Sequence, residues 1–299
     1  MTPLLNSPFH REFQQREFQY LPDDFERVRA LIYQHTGIRL KVSKEHMVYS
    51  RLARRLRATE HLKFGDYLDF AESDAREWQN FINALTTNLT AFFREPHHFS
   101  ILSNYLKKTA HSPSPNCVSL WCAAASTGEE AYSMAMTAVE AFGTLTPPVK
   151  ILATDLDTQV LEIAQAGVFA LDRVKKLPAD QLKRFFLKGE GESQGYVKVR
   201  EELRALITFR QLNLLDPEWN LRTPFSAIFC RNVMIYFDKP TQYKILKKFV
   251  PLLRADALLF AGHSENFYHA TDLFTACGKT VYRLKSSPPK ASTDAVSHV

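Results

Sequence analysis

The chain has 299 residues, 45% of them hydrophobic and 23% charged, with a net charge of +6. That is ordinary for a globular protein of one large or two ordinary domains, and it excludes a disordered or fibrous class. No apolar run reaches the roughly 18 to 20 residues a membrane span requires, and "MTPLLNSPFHREFQQREF" is too polar and acidic for a signal peptide.

The first third has helical periodicity. "PDDFERVRALIYQHTG" places Asp23 three residues before Glu26 as a capping-box start, sets Phe25, Val28 and Ile32 on one face, and stops at Gly37. Ser43 is the expected cap of a second helix with Val48, Leu52 and Leu56 as its buried stripe. A third segment, from about Ala75 to Leu85, carries Trp78, Ile82 and Leu85. Residues 1–85 are therefore expected to form a small all-α domain.

Past "SPSPN" (112–116) the texture changes. "CVSLWCAA", "VKILATDL", "ITFRQLNLL", "SAIFCRNVMIYF", "ALLFAG" and "TVYRL" alternate with helical patterns, as in a doubly wound, Rossmann-like α/β domain. This domain is expected over 86–285, with a small antiparallel β-subdomain inserted at about 171–207. The polar stretch 286–299 is expected to be a disordered tail. Cys117, Cys122, Cys230 and Cys277 have no paired metal spacing and read as reduced residues of a cytoplasmic protein.

In such sheets ligands bind beyond the carboxyl ends of the strands. The first strand is followed by Ala124, Ala125, Ser126, Thr127 and Gly128, small enough for a ligand to approach the backbone. Asp155 follows the second strand, 27 residues after Gly128, at the offset of a ribose-binding acid. Asn213 and Leu214 follow the third strand. Arg231, Asn232, Val233 and then Tyr236 follow the fourth. Separately, a small turn is often mere packing and such an Asp merely an N-cap. Together in one β-α-β unit they favour a nucleoside.

The turn carries one glycine, and Glu129 and Glu130 stand where a pyrophosphate would lie. Like charges at close range disfavour phosphate and favour a cation. S-adenosylmethionine, a phosphate-free nucleoside bearing an ammonium and a sulfonium, fits where a dinucleotide does not.

"TTNLTAFFRE" (86–95), "AAASTGEEAYS" (123–133), "ATDLD" (153–157), "AIFCRNVMIYFD" (227–238) and "LLFAGHSE" (258–265) resemble the CheR-type chemotaxis receptor methyltransferases, from about residue 20 to 285. The resemblance implies a helical N-terminal domain and an S-adenosylmethionine-dependent methyltransferase domain that forms methyl esters on glutamates of membrane chemoreceptors. It implies cofactor contacts at Asn88, Thr90, Arg94, Glu130, Asp155, Asn213, Leu214, Arg231, Asn232 and Val233. Arg94 and Tyr236 correspond to the residues nearest the transferred methyl group.

"SRLARRLR" sets Arg51, Arg54 and Arg55 along one helical face, with Arg57 nearby. A solvated face is the bland reading. The resemblance makes it a contact for acidic receptor methylation helices. The turn "GEGESQG" (189–195) and the strand "YVKVR" leave an edge for an added peptide strand. There Gly189, Gly191 and Gly195 match the spacing of members that tether to a receptor's C-terminal peptide, with Lys188, Lys198 and Arg200 available for an acidic peptide.

No metal is expected, and His97, His98 and His263 take no role. A monomer that neither binds nucleic acid nor inserts in membranes is expected. The rival readings are a nucleic-acid methyltransferase and a non-catalytic S-adenosylmethionine-binding adaptor. Against the first, no base-stacking aromatics interleave with the arginines.

Overall fold

The computed structural model describes residues 16–110, 117–221 and 224–285. The expected tail at 286–299 and the "SPSPN" boundary lie outside the described residues. Four helices build the first layer: α1 (Pro22–Thr36), α2 (Glu45–Ala58), α3 (Phe64–Ser73) and α4 (Ala75–Leu85). Val28, Ile32, Val48, Leu52, Leu56, Phe64, Leu68, Phe81 and Ile82 interlock as their own core. None of the described helices is long and apolar enough to cross a membrane.

Two helix starts differ from expectation. Leu21 caps α1, and its N–H donates to Asp24 Oδ2 at 2.7 Å, so the pairing uses Asp24 and not Asp23 with Glu26. Pro22 at N1 shifts the start, since it lacks the N–H that a cap satisfies. Ser43 lies within a 3-10 turn (Val42–Lys44) that leads into α2, whose cap position is Lys44. α3 was missed: its amphipathic pattern around Tyr67 and Leu68 covers only ten residues.

An irregular stretch (86–96) leads to α5 (His97–Ala110). Then β1 (Val118–Cys122), α6 (Glu129–Phe142), β2 (Val149–Asp155) and α7 (Thr158–Ala166) form the first β-α-β unit. β3 (Val168–Ala170), α8 (Leu171–Val174), α9 (Ala179–Phe185), β4 (Phe186–Lys188), β5 (Tyr196–Val199) and α10 (Glu201–Arg204) form the insertion. β6 (Ile207–Gln211), β7 (Phe225–Phe229), α11 (Lys239–Phe249), β8 (Leu253–Phe260), β9 (Phe274–Ala276) and β10 (Val281–Leu284) complete the fold.

The main sheet runs β6-β2-β1-β7-β8-β10-β9. Its first five strands are parallel and the β10 pairings antiparallel. β1 and β7 are almost wholly buried, because helices cover both faces of the sheet. Gly128 has φ +95°, and a Cβ there would meet Ala164 Cβ at 2.8 Å, so only glycine lets α6 pack this close to α7.

The inserted sheet has the order β3-β5-β4, all antiparallel. It begins at Val168, earlier than the expected 171, because the three-residue β3 has no periodicity of its own. "YVKVR" is its central strand, not an edge. The unpaired edges belong to β3 and β4.

Candidate active site

A cavity of about 460 Å³ opens where the carboxyl ends of β1, β2, β6 and β7 meet the helical layer. It is within the range for small-molecule sites. Ala123, Ala124 and Ser126 form one wall, Asn88 to Thr90 and Arg94 another, and Asp155 and Leu212 to Leu214 a third. Arg231 to Val233 and Tyr236 close the fourth. Every residue expected to touch the cofactor or the methyl group thus faces one space. Sequence reasoning did not include the roof, made by Thr36, Ile38 to Lys41, Lys44 and Met47 of the first layer.

The floor is a charged cluster. Arg231, 3% exposed, donates from Nη1 to Glu130 Oε2 at 2.6 Å and from Nη2 to the Arg94 carbonyl at 2.5 Å. Its Nη2 also stands 3.2 Å from Glu95 Oε2. Cys122 Sγ donates to Glu130 Oε1 at 3.2 Å. Burial raises the Glu130 pKa by more than Arg231 and Cys122 lower it. For Glu95, burial acts upward, but the His263 N–H and Arg231 outweigh it and hold the carboxyl below its usual range. Glu130 and Glu95 thus face one guanidinium from two sides, and of the two only Glu130 lines the cavity.

Glu129 does not share this role. It is fully buried and turned outward, where Arg173 of α8 donates to it from Nε at 3.0 Å and Thr127 Oγ1 at 2.6 Å. Successive helical residues diverge by about 100°, so only one of two adjacent acids can face the cavity.

Asp155 sits where a ribose acceptor would. Its Oδ2 accepts from the Ser126 N–H at 2.8 Å and its Oδ1 from the Asp157 N–H at 3.0 Å. Burial raises its pKa to about 6, against those backbone bonds. Asn88 donates to Asp157 Oδ2 at 2.7 Å, and Asp157 caps α7, so Asn88 braces the wall. The Asn213 amide is likewise engaged, donating to the His35 carbonyl at 2.7 Å and accepting from the Leu215 N–H at 2.9 Å.

Arg94 is half-buried and makes no ion pair among the described residues. Its Nη1 donates to the Leu89 carbonyl at 2.8 Å. Its neighbours Glu95 and Glu130 pair with Arg231 instead. Tyr236 closes a 3-10 turn (Met234–Tyr236).

That turn depends on a residue left without a role, Glu265 of "GHSE". Its Oε2 accepts from the N–H of Asn232 at 2.9 Å and of Gly262 at 2.5 Å, and its Oε1 from Ile235 N–H at 3.3 Å. Asn232 has φ +58°, a conformation these bonds sustain. A Cβ on Gly262 would lie 2.4 Å from Asn232 Nδ2, which explains the glycine.

Glu95, His97 and His98 place ligand atoms within 4.8 Å of one another. The sequence showed only the His pair. Arg231 already sits against that carboxylate, and His98 Nε2 is bonded to the Lys279 carbonyl at 2.9 Å.

Three of the four arginines of the basic helix have partners within the chain. Arg55 donates to Glu77 through Nε at 2.9 Å and Nη2 at 2.6 Å, and Arg57 does the same with Glu17 at 2.9 and 2.5 Å. Arg51 caps α4 by donating to the carbonyls of Ala84 and Thr86. Only Arg54 projects without a partner of its side chain among the described residues. In the insertion, Lys188 lies on the β4 edge, whereas Lys198 lies on central β5 and Arg200 follows it. Gly189, Gly191 and Gly195 lie in or beside the connecting turn. A Cβ on Gly189 would meet the Ser193 carbonyl oxygen at 2.1 Å, so this glycine serves the turn itself.

Residues 88–283 match the family described as CheR methyltransferase, SAM binding domain, and residues 23–86 that described as CheR methyltransferase, all-alpha domain. The chain is 52% identical over 270 residues to chemotaxis protein methyltransferase 2 of Pseudomonas aeruginosa, covering 90% of this chain and 96% of that protein. It is 54% identical over 262 residues to the chemotaxis protein methyltransferase of Klebsiella aerogenes, covering 87% of this chain and 89% of that one. For the Escherichia coli K12 chemotaxis protein methyltransferase the identity is 51% over 262 residues, with 87% and 90% covered.

Proposed function

The chain belongs to the CheR methyltransferase family and is an S-adenosylmethionine-dependent methyltransferase of chemotaxis; we propose that its cavity holds that methyl donor against a glutamate carboxylate of a membrane chemoreceptor. The observation that carries this reading is the charge of the floor. At the inner end of the cavity the lining acids Glu130 and Asp155 outnumber the buried Arg231, so that end suits a cationic nucleoside and disfavours a phosphorylated one.

Glu130 faces the ammonium group, and Asp155 accepts from the ribose hydroxyls. The Ala123–Ser126 backbone and Leu214 border the nucleoside. Asn88 and Asn213 act through the walls they brace, as Arg231 acts by fixing Glu130. When bound, S-adenosylmethionine supplies an electrophilic methyl group on a sulfonium.

The receptor glutamate, with an ordinary pKa of about 4.3, is already an ionised nucleophile at neutral pH. No general base is therefore required. Arg94, free of internal carboxylates, orients the incoming carboxylate through its remaining N–H groups. Tyr236 lines the same approach on the turn that Glu265 fixes. Esterification removes the substrate's charge, which loosens its contact with Arg94 and favours release. Receptor methylation in this way serves chemotaxis adaptation. A receptor's C-terminal peptide would add along the β4 edge beside Lys188.

The test uses methyl-labelled S-adenosylmethionine and chemoreceptor-bearing membranes, reading methanol released by mild base. Label should appear with the native protein, and Arg94→Ala should lower the rate by about 10²-fold. Label stable to base would refute the ester assignment, and an unchanged rate in Arg94→Ala would remove that residue from the site.

A further inference from the structure

The wall that carries Arg94 has neither helix nor strand. Residues 86–96 are irregular, and Phe93 and Glu95 hold φ of +49° and +58°. Non-glycine residues keep such backbone only where their surroundings over-determine it. Packing does not do this alone, because Ala91, Phe92, Phe93 and Pro96 border a second cleft of about 660 Å³, distinct from the cofactor cavity. Hydrogen bonds supply the rest. The Asn88 carbonyl accepts from Ser126 Oγ at 2.9 Å, the Phe93 N–H donates to Ser133 Oγ at 2.9 Å, and the Arg94 carbonyl accepts from Arg231. These three holds come from the main α/β layer.

Another hold comes from the insertion. Arg173 of α8 donates from Nη2 to the Thr90 carbonyl at 3.3 Å, just before the turn in which the Arg94 N–H donates to the Ala91 carbonyl. The same guanidinium donates from Nε to the fully buried Glu129 at 3.0 Å, and Thr127 Oγ1 donates to the other oxygen of that carboxylate at 2.6 Å. Beside it Phe92 packs T-shaped against Phe169 of β3 and Phe186 of β4, with ring centroids 5.0 and 5.6 Å away. Thr90 and Arg94 both line the cofactor cavity. We infer that Arg173 is a positioning residue for methyl transfer: it ties the inserted subdomain to the wall segment and so sets where Arg94 stands over the cavity. This rests on the carboxyl-methyltransferase reading above, and it gives the insertion a part in the reaction besides its peptide edge.

Arginine suits this task because its planar fork reaches two acceptors at once. Lysine could neutralise Glu129, but its single ammonium would leave the Thr90 carbonyl without a donor. The ion pair and the hold on Thr90 are therefore separable, which distinguishes a positioning role from a merely stabilising one. Removing both members of the pair, as in Arg173→Met/Glu129→Leu, likewise leaves no unpaired buried charge, yet Thr90 is again unheld.

The experiment measures kcat, receptor KM and the thermal unfolding midpoint for the native protein, Arg173→Lys, Arg173→Met/Glu129→Leu and Arg204→Lys. Arg204, at the end of α10 in the same insertion, donates to the Gln165 carbonyl, outside the wall segment. Arg173→Lys should keep the native midpoint and receptor KM while kcat falls by about tenfold, less than the roughly 10²-fold that a displacement of about 1 Å costs. The double variant should lose as much, and Arg204→Lys should match the native protein. Native kcat in either Arg173 variant overturns the inference, as does an equal loss in Arg204→Lys. It is also overturned if the kcat of Arg173→Lys falls only together with its unfolding midpoint. Absence of base-labile label with the native protein would defeat the underlying reading, a result distinct from all of these.

Discussion

Carboxylates in the helical layer and carboxylates around the cavity are perturbed in opposite directions. In the layer, Glu77 is 4% exposed, yet two bonds from Arg55 with others from Asn80 and Tyr67 outweigh burial and hold its pKa low. Around the cavity, burial outweighs the available partners, so Glu130 and Glu265 are raised and Asp155 reaches about 6. Glu95 is the exception, held low mainly by the His263 N–H and Arg231 against burial. The layer satisfies its charges internally and gains rigidity from them. Around the cavity burial prevails even though both oxygens of Glu130, Asp155 and Glu265 have donors.

The sharpest way to break this contrast is to remove the cation on the floor. Arg231→Met leaves Glu130 and Glu95 without their guanidinium in a dry site, so urea unfolding should show a loss of about 3–5 kcal/mol. A loss below about 1 kcal/mol would mean that water reaches the cluster. Arg55→Ala removes the matching cation of the layer, but Tyr67 and Asn80 still donate to Glu77. The expected loss is smaller, about 1–3 kcal/mol, by the same measurement.

Acidification sharpens the comparison through its sign. Glu77, lowered in the folded state, contributes stability above the ordinary glutamate pKa that is lost as pH falls through its folded value. Asp155, raised to about 6, contributes stability below the ordinary aspartate pKa that is lost as pH rises through 6. Ribose hydroxyls need the ionised acceptor, so calorimetry should show cofactor affinity falling by up to about tenfold per pH unit below 6. Asp155→Asn should bind more weakly and without that pH dependence. The smallest effect belongs to Arg57→Ala, whose pair with Glu17 lies on the surface. Its unfolding midpoint should equal that of the native protein.

Strand–helix alternation made the α/β domain legible, since buried parallel strands leave near-continuous apolar runs such as "SAIFC". Short elements were not legible. β3 and β9 have three residues each, too few for a period, and their pairing is decided by distant partners. The loop residues after each strand were found because a parallel sheet brings strand ends together whatever lies between them. Their orientations were not. Glu129 and Glu130 are identical in sequence terms, and Arg55 matches Arg54 in type. Which one turns inward depends on Arg173, Arg231 and Glu77, residues 22 to 101 positions away. The roof at Arg39 to Lys44 was missed because a 3-10 turn beside a helix carries no binding signature. Glu265 was missed because its role is to hold the backbone of another loop.

The most direct test of the central claim, that the cavity selects its ligand by an excess of buried negative charge, is titration calorimetry. S-adenosylmethionine and NAD would each be titrated into the native protein and into Glu130→Gln. The account predicts binding of S-adenosylmethionine, no measurable heat from NAD, and a clear loss of S-adenosylmethionine affinity in Glu130→Gln. Comparable binding of NAD to the native protein, or undiminished S-adenosylmethionine binding in Glu130→Gln, would contradict it.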